Sequence, residues 1–350
     1  MQDYGMQEVA IQQGGHLEDA AAVYARRRFE GGSARHLAAM ARFPASRRLE
    51  LAPLRYLLPQ GRSCLFDLFA GTGFASASIR SEFRGTFLLE PHVAAEDASI
   101  ANSRRHRACA LSAGSFDGLP AADLAVCLAG FHHVLGPGPA ADRDSHRRQR
   151  LEALRLWGSR LAPSGRLVIA DVPLAGTDVG WLSGDPSGLL PTEPSAGAAG
   201  DEAPLADALR RRGIEDYLAA LTARCDELDL GQPEPSAFFD HVVAEQSPYG
   251  HVACFDSPQE LADMFREAGY EHVRAFVAPT PWLFPSKADA VWFVRELLGI
   301  GQPCDRPSAL KTAEVDSLGT DIRTHLDLRQ VSEGVWAVAW KLMYVMGERP

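Results

Sequence analysis

Lysine is almost missing from this chain: among 350 residues it stands only at Lys287, Lys311 and Lys341, so arginine carries nearly all the positive charge. That bias is read as coding composition rather than chemistry. An excess of positive charge is also missing, the formal net charge being −10, and nucleic-acid phosphates need a concentrated positive surface. Arginine groups at 26–28, 104–107, 147–150 and 210–212 read as solvated helix faces, with a phosphate-bearing or carboxylate-bearing substrate as the sharper alternative. No run reaches the ~18 apolar residues of a membrane helix. The opening segment Met1–Glu8 has neither the basic nor the apolar region of a signal peptide. A cytoplasmic protein without nucleic-acid or membrane partners is therefore expected, with a homodimer left open. The six cysteines form no C-x-x-C pair and no metal-like grouping with histidine, which points to buried free thiols, no disulfide framework and no metal.

With 46% hydrophobic residues the chain can fill the core of one large α/β domain with insertions, or of two smaller ones. Its organising stretch is Cys64-Leu65-Phe66-Asp67-Leu68-Phe69-Ala70-Gly71-Thr72-Gly73-Phe74-Ala75-Ser76. An apolar run ends near an acid, passes a Gly-x-Gly turn and opens a helix, the strand–turn–helix of a nucleotide cleft. Seventeen residues past Gly73, Glu90 closes a second apolar run as a carboxylate suited to ribose hydroxyls. A third run, Asp123 to Val134, ends around His132 and His133.

This order of pieces resembles a class I S-adenosylmethionine-dependent methyltransferase over roughly residues 60–175, with Gly165–Pro173 as the fifth strand. The resemblance implies a Rossmann-like α/β fold: a seven-stranded mixed sheet with helices on both faces and a cap built from insertions and N-terminal helices. It also implies S-adenosylmethionine as cofactor and S-adenosylhomocysteine as product. The implied cofactor-binding residues are Asp67, Phe69, Ala70, Gly71, Thr72 and Gly73 of the first turn, Glu90, Phe116 and Asp117 near the adenine, and Ala129 after the fourth strand. Phe69 stands where the family usually has glycine, so the turn is expected to begin at ordinary negative φ. A dinucleotide fold is the competing reading, but its third glycine would fall on Ser76.

Read in order, residues 1–60 form a helical extension or cap and 61–175 the cofactor-binding core. Residues 176–256 form an insertion or lid, loop-like from Gly176 to Pro204 and helical from Leu205 to Leu228. Residues 257–350 complete the sheet, with a second insertion over 280–333. Helices are expected over 17–28, 33–41, 48–58, from Glu90 to about Arg107, over 145–161, from a Ser257 cap to Ala268, and over 286–298. Strands are expected over 272–277 and, as one piece, 335–345.

Methyl transfer is an in-line displacement, so alignment and exclusion of water matter most, and a base is needed only when the acceptor must lose a proton. His132 and His133 are the first candidates. Strand alternation would send them to opposite sides. His251 is the third candidate, and Tyr249, His241 and Trp282 are candidates for contacting the substrate. The spacing of His241, Glu245 and His251 matches no strong metal signature. Ala129-Gly130-Phe131-His132-His133 differs from the acid–Pro-Pro–aromatic pattern of base-methylating enzymes and resembles small-molecule carbon and oxygen methyltransferases, many of them in natural-product biosynthesis. Two rivals are a cyclase or rearrangement enzyme that keeps the sulfonium as fixed charge, and a nicotinamide oxidoreductase.

Overall fold

A computed structural model describes residues 35–36, 38–59, 61–70, 73–90, 104–109, 111, 113–135, 142–184, 213–248, 251 and 253–350. The strands are β1 (Cys64–Leu68), β2 (Gly85–Glu90), β3 (Arg104–Cys109), β4 (Ala122–Leu128), β5 (Leu161–Asp171), β6 (Gly180–Ser183), β7 (Glu271–Pro279), β8 (Trp282–Phe284), β9 (Arg329–Ser332), β10 (Val335–Val338) and β11 (Lys341–Glu348). The main sheet has the order β3-β2-β1-β4-β5-β11-β7-β6. β1 pairs in parallel with β2 and β4, setting Phe66 beside Phe87 on one side and Ala125 on the other. β11 is antiparallel to both β5 and β7, with Tyr344 between Ala170 and Phe276.

Continuous apolar strands in a two-faced sheet follow from the period of two. Leu65, Val126, Val168, Ala170, Phe276, Leu342 and Tyr344 point into one layer with helices Ile214–Glu227, Lys287–Leu298 and Thr312–Leu326. Their neighbours Phe66, Leu68, Cys127, Ile169, Val277 and Val345 point into the other, against helices Arg143–Ser159 and Pro258–Glu267. Helix Arg143–Ser159 starts on Asp142, which accepts from Ser145 N–H at 3.0 Å. Helix Pro258–Glu267 starts on the expected Ser257–Glu260 capping box.

Several elements differ from their sequence reading. Residues 104–109, expected as the end of a helix and a turn, form edge strand β3, so tertiary pairing to β2 overrides local composition. The sheet gains an eighth strand, β6, within the stretch expected as loop; Trp181 stacks on Phe276 at 5.6 Å. The run 335–345 is two strands in two sheets. β10 joins β8 and β9, and the chain changes sheets at Ala339–Trp340, where Trp340 stacks on Trp282 at 4.3 Å. Residues 48–58 form only the short turns Arg48–Leu51 and Pro53–Tyr56, interrupted by Pro53. The expected helix over 17–28 and most of the loop after Gly184 lie outside the described residues.

Candidate cofactor cleft and histidine cluster

The strand order reverses between β1 and β4, and in an open α/β sheet ligands usually lie outside the carboxyl ends of the strands at such a point. Asp67 is buried and accepts the Ser76 N–H at 3.0 Å, tying the end of β1 to helix Phe74–Ile79. Burial pushes its carboxyl up to about 6, with the Ser76 bonds pulling the other way. The turn is tight: Gly73 N–H donates to Ala70 O at 2.7 Å, Ala70 N–H donates to Leu89 O at 3.2 Å, and Gly73 has φ 71°. Gly71 and Thr72 lie outside the described residues. Glu90 ends β2 as expected; its side chain lies outside what is described.

Phe69 departs from expectation. Its φ is 60°, in the left-handed region, rather than negative. The side chain points into the core, edge-on to Trp157 at 6.3 Å, and that burial holds an unfavourable backbone in place. Ala129, just past the end of β4, also has positive φ, at 52°, and donates its N–H to Ala170 O at 2.7 Å. The burial of Phe116 does not suit the adenine assignment. Phe116 is 1% exposed, packed on Phe66 at 5.7 Å, with the Arg160 guanidinium 5.6 Å from its ring centre. It is a core residue with no free face. Asp117 is exposed, 3.6 Å from Arg160.

β4 stops at Leu128, and Phe131–His133 is a 3₁₀ turn rather than strand. Helical turning therefore replaces strand alternation, and the two imidazoles lie together, centroids 4.0 Å apart, instead of on opposite sides. His132 is held by Asp171 at the end of β5: the carboxylate accepts the His132 N–H at 2.8 Å, contacts His132 Nδ1 at 2.6 Å and accepts the Val172 N–H at 2.7 Å. A carboxylate on Nδ1 fixes the ring and leaves Nε2 on the side away from Asp171.

His251 completes the cluster, its ring 5.4 Å from His133 and 5.8 Å from His132. Phe239 stacks on it at 4.5 Å, and Phe255 also stacks on it, at 6.0 Å. Phe239 begins a π-helical turn, Phe239–Val243, a distortion common where a helix serves a site. The segment carrying His251 is clamped by buried Arg150, which donates to Asp256 Oδ2 at 2.6 Å, to Val134 O at 3.0 Å and to Cys254 O. Arg150 was expected on a solvated face; it is 1% exposed. Despite that arginine, burial pushes the Asp256 carboxyl above its ordinary value.

One nitrogen from each of His132, His133 and His251 lies within 4.8 Å of the others, a metal-ligand type of grouping that the spacing of the chain conceals. His241 is not part of it: it is exposed and stacks on His325 at 5.8 Å. Trp282 is not at a substrate surface. It is 1% exposed, and its Nε1–H donates to Glu50 Oε1 at 2.7 Å. Tyr249 lies outside the described residues. Two of the described thiols are buried as expected, Cys64, pushed up to about 12, and Cys127, raised by burial with Asp171 and Asp67 nearby; Cys225, Cys254 and Cys304 are only half-buried.

Sequence reasoning missed Asp171, Arg150 and Asp256. Asp171 carried a signal, since it ends an apolar strand as Glu90 does. The other two carried none, because their pairing spans 106 residues.

No family model matches the chain, and no curated protein matches it in sequence. Among solved structures it is similar to YcgJ of Bacillus subtilis, at 13% identity over 87% of this chain and 99% of that one, with a TM-score of 0.42. It is similar to the sugar N-methyltransferase KedS8 of Streptoalloteichus, at 20% identity over 49% of this chain and 64% of that one, TM-score 0.30. A third is phosphoethanolamine N-methyltransferase 2 of Haemonchus contortus, solved with phosphomonomethylethanolamine and S-adenosylhomocysteine, at 11% identity over 95% of this chain and 61% of that one, TM-score 0.46. The chain spans less than two thirds of the latter two. Likenesses this distant carry no argument about chemistry. The strand order itself defines a Rossmann-like α/β fold, with β11 running antiparallel between β5 and β7.

Proposed function

We propose that the chain transfers a methyl group from S-adenosylmethionine to a small, partly apolar acceptor, at oxygen or an acidic carbon in preference to nitrogen, in natural-product biosynthesis. The observation that carries the reading is the His132–Asp171 pair at the end of β4, one strand from the Ala70–Gly73 turn. A hydroxyl or carbon acid must lose a proton as it attacks, whereas an amine attacks through its lone pair. With Nδ1 committed to Asp171, His132 Nε2 is oriented to take that proton. Glu90 would hold the ribose hydroxyls, and the N–H groups of the turn would approach the cofactor's charged end. Phe239 and Phe255 offer apolar walls to the acceptor and keep water from the sulfonium. Residues 1–60 and the insertion 176–256 would act as its cap.

Calorimetric titration with S-adenosylhomocysteine, beside NAD and NADP, tests the cofactor. Binding of the thioether alone is expected. A nicotinamide signal without it would overturn the reading, and Glu90→Ala is expected to weaken S-adenosylhomocysteine binding at least tenfold. A product heavier by one methylene separates transfer from a cyclase that keeps its methyl group.

A further inference from the structure

We propose that His132, His133 and His251 bind a divalent transition-metal ion of the zinc kind. Three imidazole nitrogens lie within 4.8 Å of one another. A tetrahedral ion with Zn–N bonds of about 2.0–2.1 Å spaces its ligand nitrogens roughly 3.4 Å apart, so small rotations of the half-buried His133 and His251 rings close the remaining gap.

Three further features match such a site. His132 already has the carboxylate partner on Nδ1 that metal-binding histidines characteristically have, leaving Nε2 as the donor atom. Asp171 is itself engaged by the His132 N–H, the His132 ring and the Val172 N–H, so it supports the ligand rather than competing for the ion. His251 is confined by the stacked rings of Phe239 and Phe255, an apolar shell that limits water around the ion. Three imidazoles leave a fourth position open, the arrangement of catalytic rather than structural zinc.

The ion's use rests on the methyl-transfer reading; the ion's binding does not. An acceptor oxygen in the open position would release its proton to solvent on coordination. The oxygenate would then form the new O–C bond as the C–S bond breaks, the sulfonium leaving as a neutral thioether. Activation by the ion would thus replace direct proton uptake by His132 Nε2, and it favours an oxygen-bearing acceptor.

The test is titration of tag-free, chelator-treated protein with Co²⁺, followed by its visible absorption, with S-adenosylhomocysteine affinity measured separately. One equivalent is expected to give the intense bands of a tetrahedral ion and to be displaced by Zn²⁺. His133→Ala and His251→Ala are expected to abolish the bands, and Asp171→Asn to weaken binding about 10–100-fold. His272→Asn, outside the cluster, is expected to leave them unchanged. Retained S-adenosylhomocysteine binding or an unchanged circular-dichroism spectrum shows that the variants fold. Absence of stoichiometric Co²⁺ binding, or binding that survives both alanine variants, would overturn the site. Metal binding without any S-adenosylhomocysteine binding would sink the methyl-transfer reading and leave the metal site standing.

Discussion

Phe69 and Gly130 face each other so closely that neither can be understood alone. A Cβ on Gly130 would come within 2.8 Å of Phe69 Cβ, and Phe69 holds a left-handed backbone. Gly130→Ala is therefore expected to cost about 1–3 kcal/mol of stability by overpacking and to weaken S-adenosylhomocysteine binding, read by urea denaturation and calorimetry. Asp67 makes a second case. Burial raises its folded-state pKa from 3.8 to about 6, so folding favours the protonated acid. The stability this contributes is complete below the unfolded-state value and is lost as pH rises through about 6. Relative to Asp67→Asn, which keeps an acceptor for Ser76, the native chain is expected to lose about 3 kcal/mol between about pH 4 and pH 7. A pH-independent difference in urea midpoints would show that burial does not govern this carboxylate.

At the scale of elements, the site depends on how helix Arg143–Ser159 grips a loop from the insertion. Arg150 reaches from that helix to Val134, Cys254 and Asp256, binding the turn after β4 to the segment that carries His251. Removing the arginine strands a buried carboxylate. Arg150→Met is expected to cost about 3–5 kcal/mol in denaturant unfolding, and adding Asp256→Asn is expected to recover part of it, since the double variant buries no lone charge. Equal costs for single and double variants would mean that Asp256 finds water or another partner. The π-helical turn at Phe239–Val243 belongs to the same device, because it presents Phe239 to both His132 and His251.

Across the whole molecule, residues before β1 are tied to the C-terminal half by two buried carboxylates. Arg35 pairs with Glu296 at 2.8 Å and also donates to Ile300 O and Gly301 O. Glu50 accepts from Arg47 and from Trp282, while its carbonyl accepts from the Tyr344 hydroxyl at 2.7 Å. Residues 35–50 and the C-terminal half, through helix Lys287–Leu298, β8 and β11, therefore stabilise each other across a long stretch of sequence. Arg35→Met is expected to destabilise the chain by about 3–5 kcal/mol and to expose residues 38–47 to limited proteolysis ahead of the sheet. Simultaneous cleavage throughout would show that this contact is not a separable anchor.

Much of this molecule is written locally. The apolar runs that end at Asp67–Leu68, Glu90, Leu128 and Asp171 specify four parallel strands, because a strand buried on both faces needs continuous apolar sequence. The Gly73 turn, the Ser257–Glu260 cap and helix Lys287–Leu298 are likewise set within a few residues of chain. The conformation of Phe69, the pairing of β3, the switch of the chain from β10 to β11 and the inward position of Trp282 were decided only by tertiary packing. So was the meeting of His132 and His133 with His251, more than a hundred residues away, through a loop held by Arg150. Local sequence encodes backbone preference and the burial of a face. Which side chains then share a few ångströms depends on closing long loops, whose favourable contacts exist only once the sheet has assembled.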